Sequence, residues 1–196
     1  MAEITAAMVK ALREKTNQPM MECKKALLEA AGDEAKAVEI LRKKGLLGLA
    51  KRADRATKEG LVGSYIHHNA KVGAMVELNC ETDFVARNEA FRQLVADLAV
   101  HVCATAPMAG SIEDLEAEML DKERQMLAEQ IENKPPEIVE KIVEGRMGKF
   151  YEEHVLLEQI FVKDDKKKIK DLLNELSSKT GEKITLGRFA RFAVGG

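Results

Sequence analysis

The sequence predicts an α+β fold: a three-helix bundle in residues 1–45, then a core domain, 61–196, with a small antiparallel sheet packed against helices. Three short helices are predicted in the first part, one from apolar residues at helical spacing and two from the residues that start and end them. Residues 72–80 instead alternate apolar and polar positions, which is typical of a strand with one buried face. The order of three helices, a hairpin, several helices and a last strand favours the α+β class.

The first two predicted helices cover residues 4–16 and about 19–31. An amphipathic pattern at i, i+4, i+7 and i+8 marks the first helix: Ile4, Met8, Ala11 and Leu12. The TNQP segment at 16–19 ends this helix, because the residue before a proline avoids the helical conformation. Pro19 is compatible with the first turn of the second helix, and Gly32 ends that helix.

The third predicted helix covers residues 34–44, with Asp33 as its N-cap. Three basic residues occupy its last turn, where cations suit the helix dipole: Arg42, Lys43 and Lys44. Gly45 is expected directly after its end, as is common for glycine. Residues 46–60 then form a charged helical linker between the head and the core domain.

The predicted sheet contains a hairpin and a last strand. The hairpin consists of strands at 61–68 and 72–80 joined by a turn at 69–71, and the last strand covers 184–194. Apolar residues occupy every even position of the second strand: Val72, Ala74, Val76, Leu78 and Cys80. This alternation indicates that one face of the second strand is buried.

Several helices are predicted between the hairpin and the last strand. The first presents one apolar face and ends before Pro107: Phe91, Leu94, Val95, Leu98 and Val102. Ser111 and Asp114 resemble a capping box that opens an acidic helix over 112–132. Further helices are expected at 136–158 and at about 166–179.

The composition excludes several classes of protein. The 196 residues carry 31 Lys+Arg and 33 Asp+Glu, so bulk charge does not favour direct binding to nucleic acid. Aromatic residues make up 4% with no Trp, which gives no base-stacking platform. Cys23, Cys80 and Cys103 form no C-x-x-C pair and fit a reducing compartment. Without a signal-peptide pattern or a long apolar stretch, we expect a cytoplasmic protein that does not contact membranes.

The sequence offers little support for an enzyme. The neighbouring His67 and His68 would point to opposite faces of a strand, which disfavours a shared metal. A nucleophile pair of Cys103 with His101 fails on helix geometry, because positions i and i+2 do not face each other. Neither a nucleophile-elbow serine nor a phosphate-binding glycine loop occurs. We therefore expect no catalytic residues, no metal and no cofactor.

Two segments are unusual and each has two interpretations. Residues 79–88 join a strand to a helix, and on pattern alone Thr82 or Asp83 caps the helix while Phe84 fills the core. The alternative is that Asp83 and Phe84 form a polar and apolar tip for a partner's pocket. Pattern alone also favours Met20–Met21 as core filler, although exposed methionines form adaptable contact surfaces.

Four segments resemble the bacterial elongation factor Ts family, the nucleotide-exchange factors of elongation factor Tu. TNQPMMECKKALLEAAGDEAKAVEILRKKG (16–45) is similar to the family's N-terminal signature, and ELNCETDFVARNEAF (77–91) is similar to its specific second signature. EIVEKIVEGRMGKFYEE (137–153) and RFARFAVG (188–195) are similar to later parts of the family. The chain length resembles the short members, which have one core subdomain.

This resemblance implies a ubiquitin-associated-like head that docks on a helix of the nucleotide domain of elongation factor Tu. It implies that a loop enters the partner near its magnesium and phosphate site: Thr82, Asp83, Phe84 and Val85. Further partner-binding positions are implied in the head and in a core helix: Arg13, Met20, Met21 and His101. The implied partners are the GDP-bound and nucleotide-free forms of elongation factor Tu, together with a second copy of the chain in a homodimer.

Two other function classes stay open beside the exchange factor. The first is a helical adaptor that binds proteins without exchange activity, and the 82–85 segment argues against it because an adaptor has no use for that loop. The second is an RNA-binding accessory protein of the ribosome that uses the basic head. The low aromatic content and the acidic remainder of the chain argue against this second class.

Overall fold

The computed structural model describes residues 4–16, 18–132 and 134–195, apart from the side chains of Leu46 and Leu47. The predicted α+β class is confirmed, because helices are combined with small antiparallel sheets. The predictions also touch six residues outside the described ones: residues 1–3, Asn17, Asn133 and Gly196. Among the described residues, no helix has both the length and the apolar character needed to cross a membrane.

The chain forms two compact units. The first unit consists of Met1–Gly60, Asn79–Asn88 and Leu173–Thr185. The second unit consists of Leu61–Leu78, Glu89–Leu172 and Leu186–Gly196. The predicted head and the unusual 79–88 segment therefore belong to the same unit, although they are far apart in sequence. The division into a head, a linker and a core domain stays a prediction.

The head contains α1 (Ala6–Thr16), α2 (Met20–Glu29) and α3 (Glu34–Arg52). Its buried apolar side chains come from all three helices: Val9, Leu12, Cys23, Ala26, Leu27, Ala30, Ala37 and Leu41. Ala11 is exposed, so its predicted place on the core face is wrong, and Val9 lies in the core instead. Asp33 caps α3 as predicted, because its carboxylate accepts a 3.0 Å hydrogen bond from the backbone N–H of Lys36.

The predicted end of the third helix at residue 44 is wrong. α3 continues through Gly45 to Arg52, and the basic residues of its last turn are Lys51 and Arg52. Gly45 does not adopt the positive φ of a helix-ending glycine. A glycine inside a helix costs only about 1 kcal/mol, which the strong helix formers that follow can offset. Of the predicted helical linker 46–60, only the part up to Arg52 is helical.

Two small sheets are present among the described residues, with three strands in the order β1-β2-β5 and two in the order β3-β4. The strands are β1 (Glu59–Ile66), β2 (Val72–Cys80), β3 (Ile160–Phe161), β4 (Asp164–Lys168) and β5 (Thr185–Ala193). The predicted hairpin is confirmed, with a 2.9 Å bond from the N–H of His67 to the carbonyl of Val72 and a positive φ at Ala70. The alternation of β2 also holds, because its side chains at four even positions are buried: Ala74, Val76, Leu78 and Cys80.

The remaining helices are α4 (Asp83–Ala86), α5 (Glu89–Thr105), α6 (Ala117–Glu129), α7 (Pro136–His154) and α8 (Ile169–Thr180). The predicted apolar face of α5 is fully confirmed as buried: Phe91, Leu94, Val95, Leu98 and Val102. Close approach to this helix requires a glycine in β1, since a Cβ at Gly63 would lie 2.4 Å from Cγ1 of Val95.

The predicted start of the acidic helix at residue 112 is wrong. The Asp114 carboxylate accepts hydrogen bonds from the backbone N–H (2.8 Å) and hydroxyl (3.0 Å) of Ser111, but this capping box opens only a 3-10 turn. Leu115 then adopts an extended conformation, so α6 begins at Ala117 rather than at 112.

The helices predicted at 136–158 and at about 166–179 are shorter in the structure than in the prediction. α7 ends at His154 and is followed by a 3-10 turn at Leu156–Glu158. Residues 164–168 form β4 instead of the start of a helix, because Asp164 pairs with Phe161 across a tight connection. α8 begins only at Ile169, where the Asp171 carboxylate accepts a 3.1 Å bond from the N–H of Lys168.

Candidate functional site

The 82–85 segment lies where β2 ends and the one-turn helix α4 begins. Phe84 is 81% exposed, so the interpretation that it fills the core is wrong. Ala86 is the residue of α4 that is buried, and Val85 is half-buried. An exposed phenylalanine has an apolar surface that burial against a partner would stabilise. The structure thus presents Phe84 at the surface of the first unit.

Asp83 lies beside this phenylalanine and is also accessible. Its carboxylate forms a 2.8 Å ion pair with Arg87, one helical turn further along, and the Arg87 and Asp83 side chains are 72% and 43% exposed. Ion pairs that are accessible to solvent contribute little to the free energy of folding, so a cation of a partner could replace Arg87 beside Asp83. The 82–85 segment therefore combines an exposed apolar ring with a carboxylate that can exchange its ion-pair partner.

Thr82 is held by a glutamate from a distant part of the chain. Thr82 occupies the N-cap position of α4, but its side chain makes no capping bond, and this predicted role is wrong. Its hydroxyl instead donates a 2.6 Å hydrogen bond to Oε1 of Glu182. Oε2 of Glu182 accepts 3.1 Å bonds from the backbone N–H groups of Glu81 and Thr82. Three donors of the segment therefore converge on one carboxylate.

Glu81 makes the reciprocal contact. Its Oε1 accepts a 2.6 Å bond from the backbone N–H of Lys183 and lies 3.3 Å from Nη1 of Arg55. The hydrogen bond from Lys183 holds the pKa of Glu81 below its usual range, and the charge of Arg55 acts in the same direction. The neighbouring Cys80 is buried, and burial together with the negative charge of Glu182 raises its thiol pKa to about 11.

The residues of the head that are predicted to bind a partner lie at the surface. Met20 and Met21 are 50% and 63% exposed, so the interpretation that they are core filler is wrong. The core positions of α2 are taken by Cys23, Ala26 and Leu27, which leaves its first turn outside. Arg13 is exposed on α1 in the same unit. The head thus exposes two adaptable apolar side chains on α2 and a cation on α1.

His101 lies in the second unit and is fully buried. Its Nε2 is 2.9 Å from Oε1 of Gln159, and the N–H of Val162 donates a 3.3 Å bond to Nδ1. Because Nδ1 accepts, the proton of the neutral ring belongs on Nε2. The predicted partner contact of His101 stays a prediction, and its burial means that neighbouring elements must move before a partner could reach the ring.

His101 should make the stability of the fold sensitive to acid. Burial lowers the pKa of His101, so the free energy that its neutral form contributes is complete above pH 6.5 and is lost as the pH falls below that value. Urea unfolding between about pH 5 and pH 8 should therefore show a steeper loss of stability in the natural chain than in His101→Asn. The other histidines are the same in both proteins, so an identical pH dependence would contradict this prediction.

The two neighbouring histidines of the hairpin lie side by side. His67 and His68 follow the end of β1 rather than lying in it, and their ring centroids are 4.2 Å apart. The prediction that they point to opposite faces is therefore wrong, because strand alternation does not extend to them. In the part of the chain that the structure describes, no group of three or more His, Cys, Asp or Glu side chains could hold a metal ion.

The comparisons with known proteins point to one family along almost the whole chain. Residues 3–196 match the sequence model of the family described as Elongation factor TS. Elongation factor Ts of Oleidesulfovibrio alaskensis is 59% identical over 197 residues that cover all of both chains. Elongation factor Ts of Thermodesulfovibrio yellowstonii is 55% identical, over 98% of this chain and 96% of the relative. That of Thermotoga sp. strain RQ2 is 50% identical over 98% and 97%.

Proposed function

The chain belongs to the elongation factor Ts family and has a role in translation elongation, and we propose that it is the guanine-nucleotide exchange factor of elongation factor Tu. The single observation that carries this proposal is the exposure of Phe84, at 81%, on a segment whose backbone is fixed by Glu182. A rigidly held and exposed aromatic residue is suited to insertion into a partner.

The proposed mechanism is differential binding. The chain binds nucleotide-free elongation factor Tu more tightly than the GDP-bound form, and by linkage it weakens GDP binding by the same factor. No bond is made or broken, so the function requires no catalytic residue and no cofactor. We also propose that the protein acts in the cytoplasm, where translation takes place.

The exchange loop, defined as Thr82–Val85, would disturb the nucleotide site. Phe84 inserts as an apolar wedge between packed elements of the partner, which shifts groups that hold magnesium. Asp83 brings a negative charge towards the phosphates and competes for cations there. Since a bound magnesium ion is the largest local charge in such a site, its displacement strongly weakens the binding of GDP.

The head would supply binding that does not depend on the nucleotide. Arg13, Met20 and Met21 contact a helix of the nucleotide domain and hold the chain in place while the loop acts. Because this contact is the same in both states of the partner, it raises affinity without changing the rate of GDP release from the complex. The two surfaces therefore have separable effects.

Release of a fluorescent GDP from elongation factor Tu, chased with excess unlabelled GDP, tests the proposal. Catalytic amounts of the chain should accelerate release, because each molecule dissociates once GTP or GDP rebinds. Complex formation without accelerated release would support the adaptor instead. Binding that falls steeply with salt and is directed to RNA would support the ribosomal accessory protein.

We further propose that the chain forms a homodimer through the outer face of the three-stranded sheet. Large apolar side chains are exposed in all three strands and directly after β5: Val62, Ile66, Met75, Phe192 and Val194. A groove of about 320 Å³ runs between Ile66, Met75 and Phe192. Contiguous exposed apolar surfaces of this kind are typical of protein interfaces, and a two-fold dimer would bring the same apolar face of both copies together.

A charge placed on this face should separate the dimer. Met75→Glu is expected to raise the dimer dissociation constant by at least about tenfold, because association would bury an unpaired carboxylate. Met126→Glu on α6 is a matched control, since both methionines are 51% exposed. Sedimentation equilibrium measures both variants, and equal dissociation constants would remove the sheet face as the interface.

A further inference from the structure

We infer that Glu182 is a positioning residue that holds the exchange loop in its active conformation, an inference that rests on the proposed exchange function. Glu182 follows α8 and lies 100 residues after Thr82 in the sequence. Its carboxylate accepts hydrogen bonds from the N–H of Glu81, the N–H of Thr82 and the hydroxyl of Thr82. These donors immediately precede Asp83 and Phe84 in the chain.

The loop needs such an external support because its own structure is small. α4 has four residues, and a single helical turn is not stable by itself. Only Ala86 of this turn is buried. The hydrogen bonds to Glu182 fix the backbone directly before the turn, so Asp83 and Phe84 are presented in a defined direction. Preorganisation of this kind lowers the entropy lost on binding.

The contact is reciprocal and reaches the end of the head. Glu81 accepts a bond from the N–H of Lys183, so residues 81–82 and 182–183 bind each other in both directions. The Lys183 ammonium group donates a 2.5 Å bond to the carbonyl of Ala53, directly after α3. Arg55 lies 3.3 Å from Glu81. The end of α3 and the exchange loop are therefore joined through the 182–183 segment within the first unit.

The role of Glu182 depends on hydrogen bonding rather than on its charge. In Glu182→Gln the amide oxygen can still accept from both backbone N–H groups, and the amide nitrogen can donate to the hydroxyl of Thr82. Glu182→Ala removes all three bonds. Exchange should therefore be retained in the glutamine variant and reduced in the alanine variant.

The test compares the exchange kinetics of the two variants with elongation factor Tu. In Glu182→Ala the maximal rate of GDP release is expected to fall about tenfold, because the loss of three hydrogen bonds is enough for such a change. The affinity for the GDP-bound partner should change less than about threefold, because the head contact is intact. Glu182→Gln should stay within about threefold of the natural rate, and Glu140→Ala on α7 serves as an exposed control.

Hydrogen exchange of the backbone amides gives a readout that is independent of activity. The amides of Glu81 and Thr82 should lose protection in Glu182→Ala and keep it in Glu182→Gln. If the alanine variant does not fold, Thr82→Val removes the hydroxyl bond alone and should lower the maximal rate by about threefold.

The outcomes separate this inference from the proposed function. A natural rate in Glu182→Ala, together with lost amide protection, would overturn the inference, and if Phe84→Ala still abolishes exchange, the proposed function stands. If the natural chain does not accelerate GDP release at all, the proposed function fails, whatever the amide protection shows. A loss of rate in both Glu182→Ala and Glu182→Gln would contradict the hydrogen-bond role.

Discussion

Replacement of Phe84 by alanine is expected to reduce catalysed GDP release by about 100-fold, the size of effect that a central aromatic anchor has on an interface. The free energy of unfolding should change by less than about 0.5 kcal/mol, because the ring is 81% exposed and buries little apolar area in the free protein. Docking on GDP-bound elongation factor Tu should weaken far less than exchange, since the head contact is unchanged.

Met126→Ala provides a control for this prediction. Met126 is also a large apolar residue and is 51% exposed, but it lies in the second unit on α6, outside the proposed binding surfaces. Fluorescent GDP release and binding of the GDP-bound partner are measured for both variants. Equal losses of docking and exchange in Phe84→Ala would mean that Phe84 is an anchor rather than a wedge. Equal losses of exchange in Phe84→Ala and Met126→Ala would mean that the effect is not specific to the loop.

Gly63→Ala is expected to destabilise the second unit by about 3 kcal/mol, at the upper end of the range for overpacking a core. A Cβ at residue 63 would lie 2.4 Å from Cγ1 and 3.2 Å from the carbonyl oxygen of Val95. Val95 is 3% exposed, and a β-branched side chain in a helix has one strongly preferred rotamer. Neither the side chain nor the α5 backbone can give way without disturbing the core.

Gly145→Ala is the control for Gly63→Ala, because it adds the same methyl group where there is room for it. A Cβ at Gly145 on α7 would meet nothing within 4 Å, so alanine should stabilise the protein by about 0.5 to 1 kcal/mol. Both substitutions restrict the unfolded chain in the same way, so their difference reports the contact with Val95. Urea unfolding measures both variants, and similar free energies of unfolding would contradict the packing of β1 on α5.

Local patterns predicted most of the regular elements. Apolar residues recur at every second position in β2 and at about every 3.6 positions in α5, and the faces predicted from these periods are buried. The errors occur where two local signals compete. Gly45 after three basic residues is typical of a helix end, yet the favourable residues beyond it continue α3 to Arg52. The Asp164–Lys168 run is polar enough for a helix start, but its pairing with β3 makes it a strand.

The candidate site was only partly predictable for a different reason. The sequence identifies residues 79–88 as unusual, but no pattern shows whether Phe84 points inwards or outwards from a single turn between a strand and a helix. Exposure depends on which residue of α4 is buried, and that residue is Ala86. Glu182 left no signal, because its partners lie about 100 residues away and a surface glutamate is common.

Differential binding is most directly tested by calorimetric titration of the chain into GDP-bound and nucleotide-free elongation factor Tu under identical conditions. The account predicts tighter binding to the nucleotide-free form, by the same factor by which the chain weakens the affinity for GDP. In Phe84→Ala this factor should approach one, while binding to the GDP-bound form is retained. Equal affinities of the natural chain for both forms would contradict the exchange mechanism and leave a binding module.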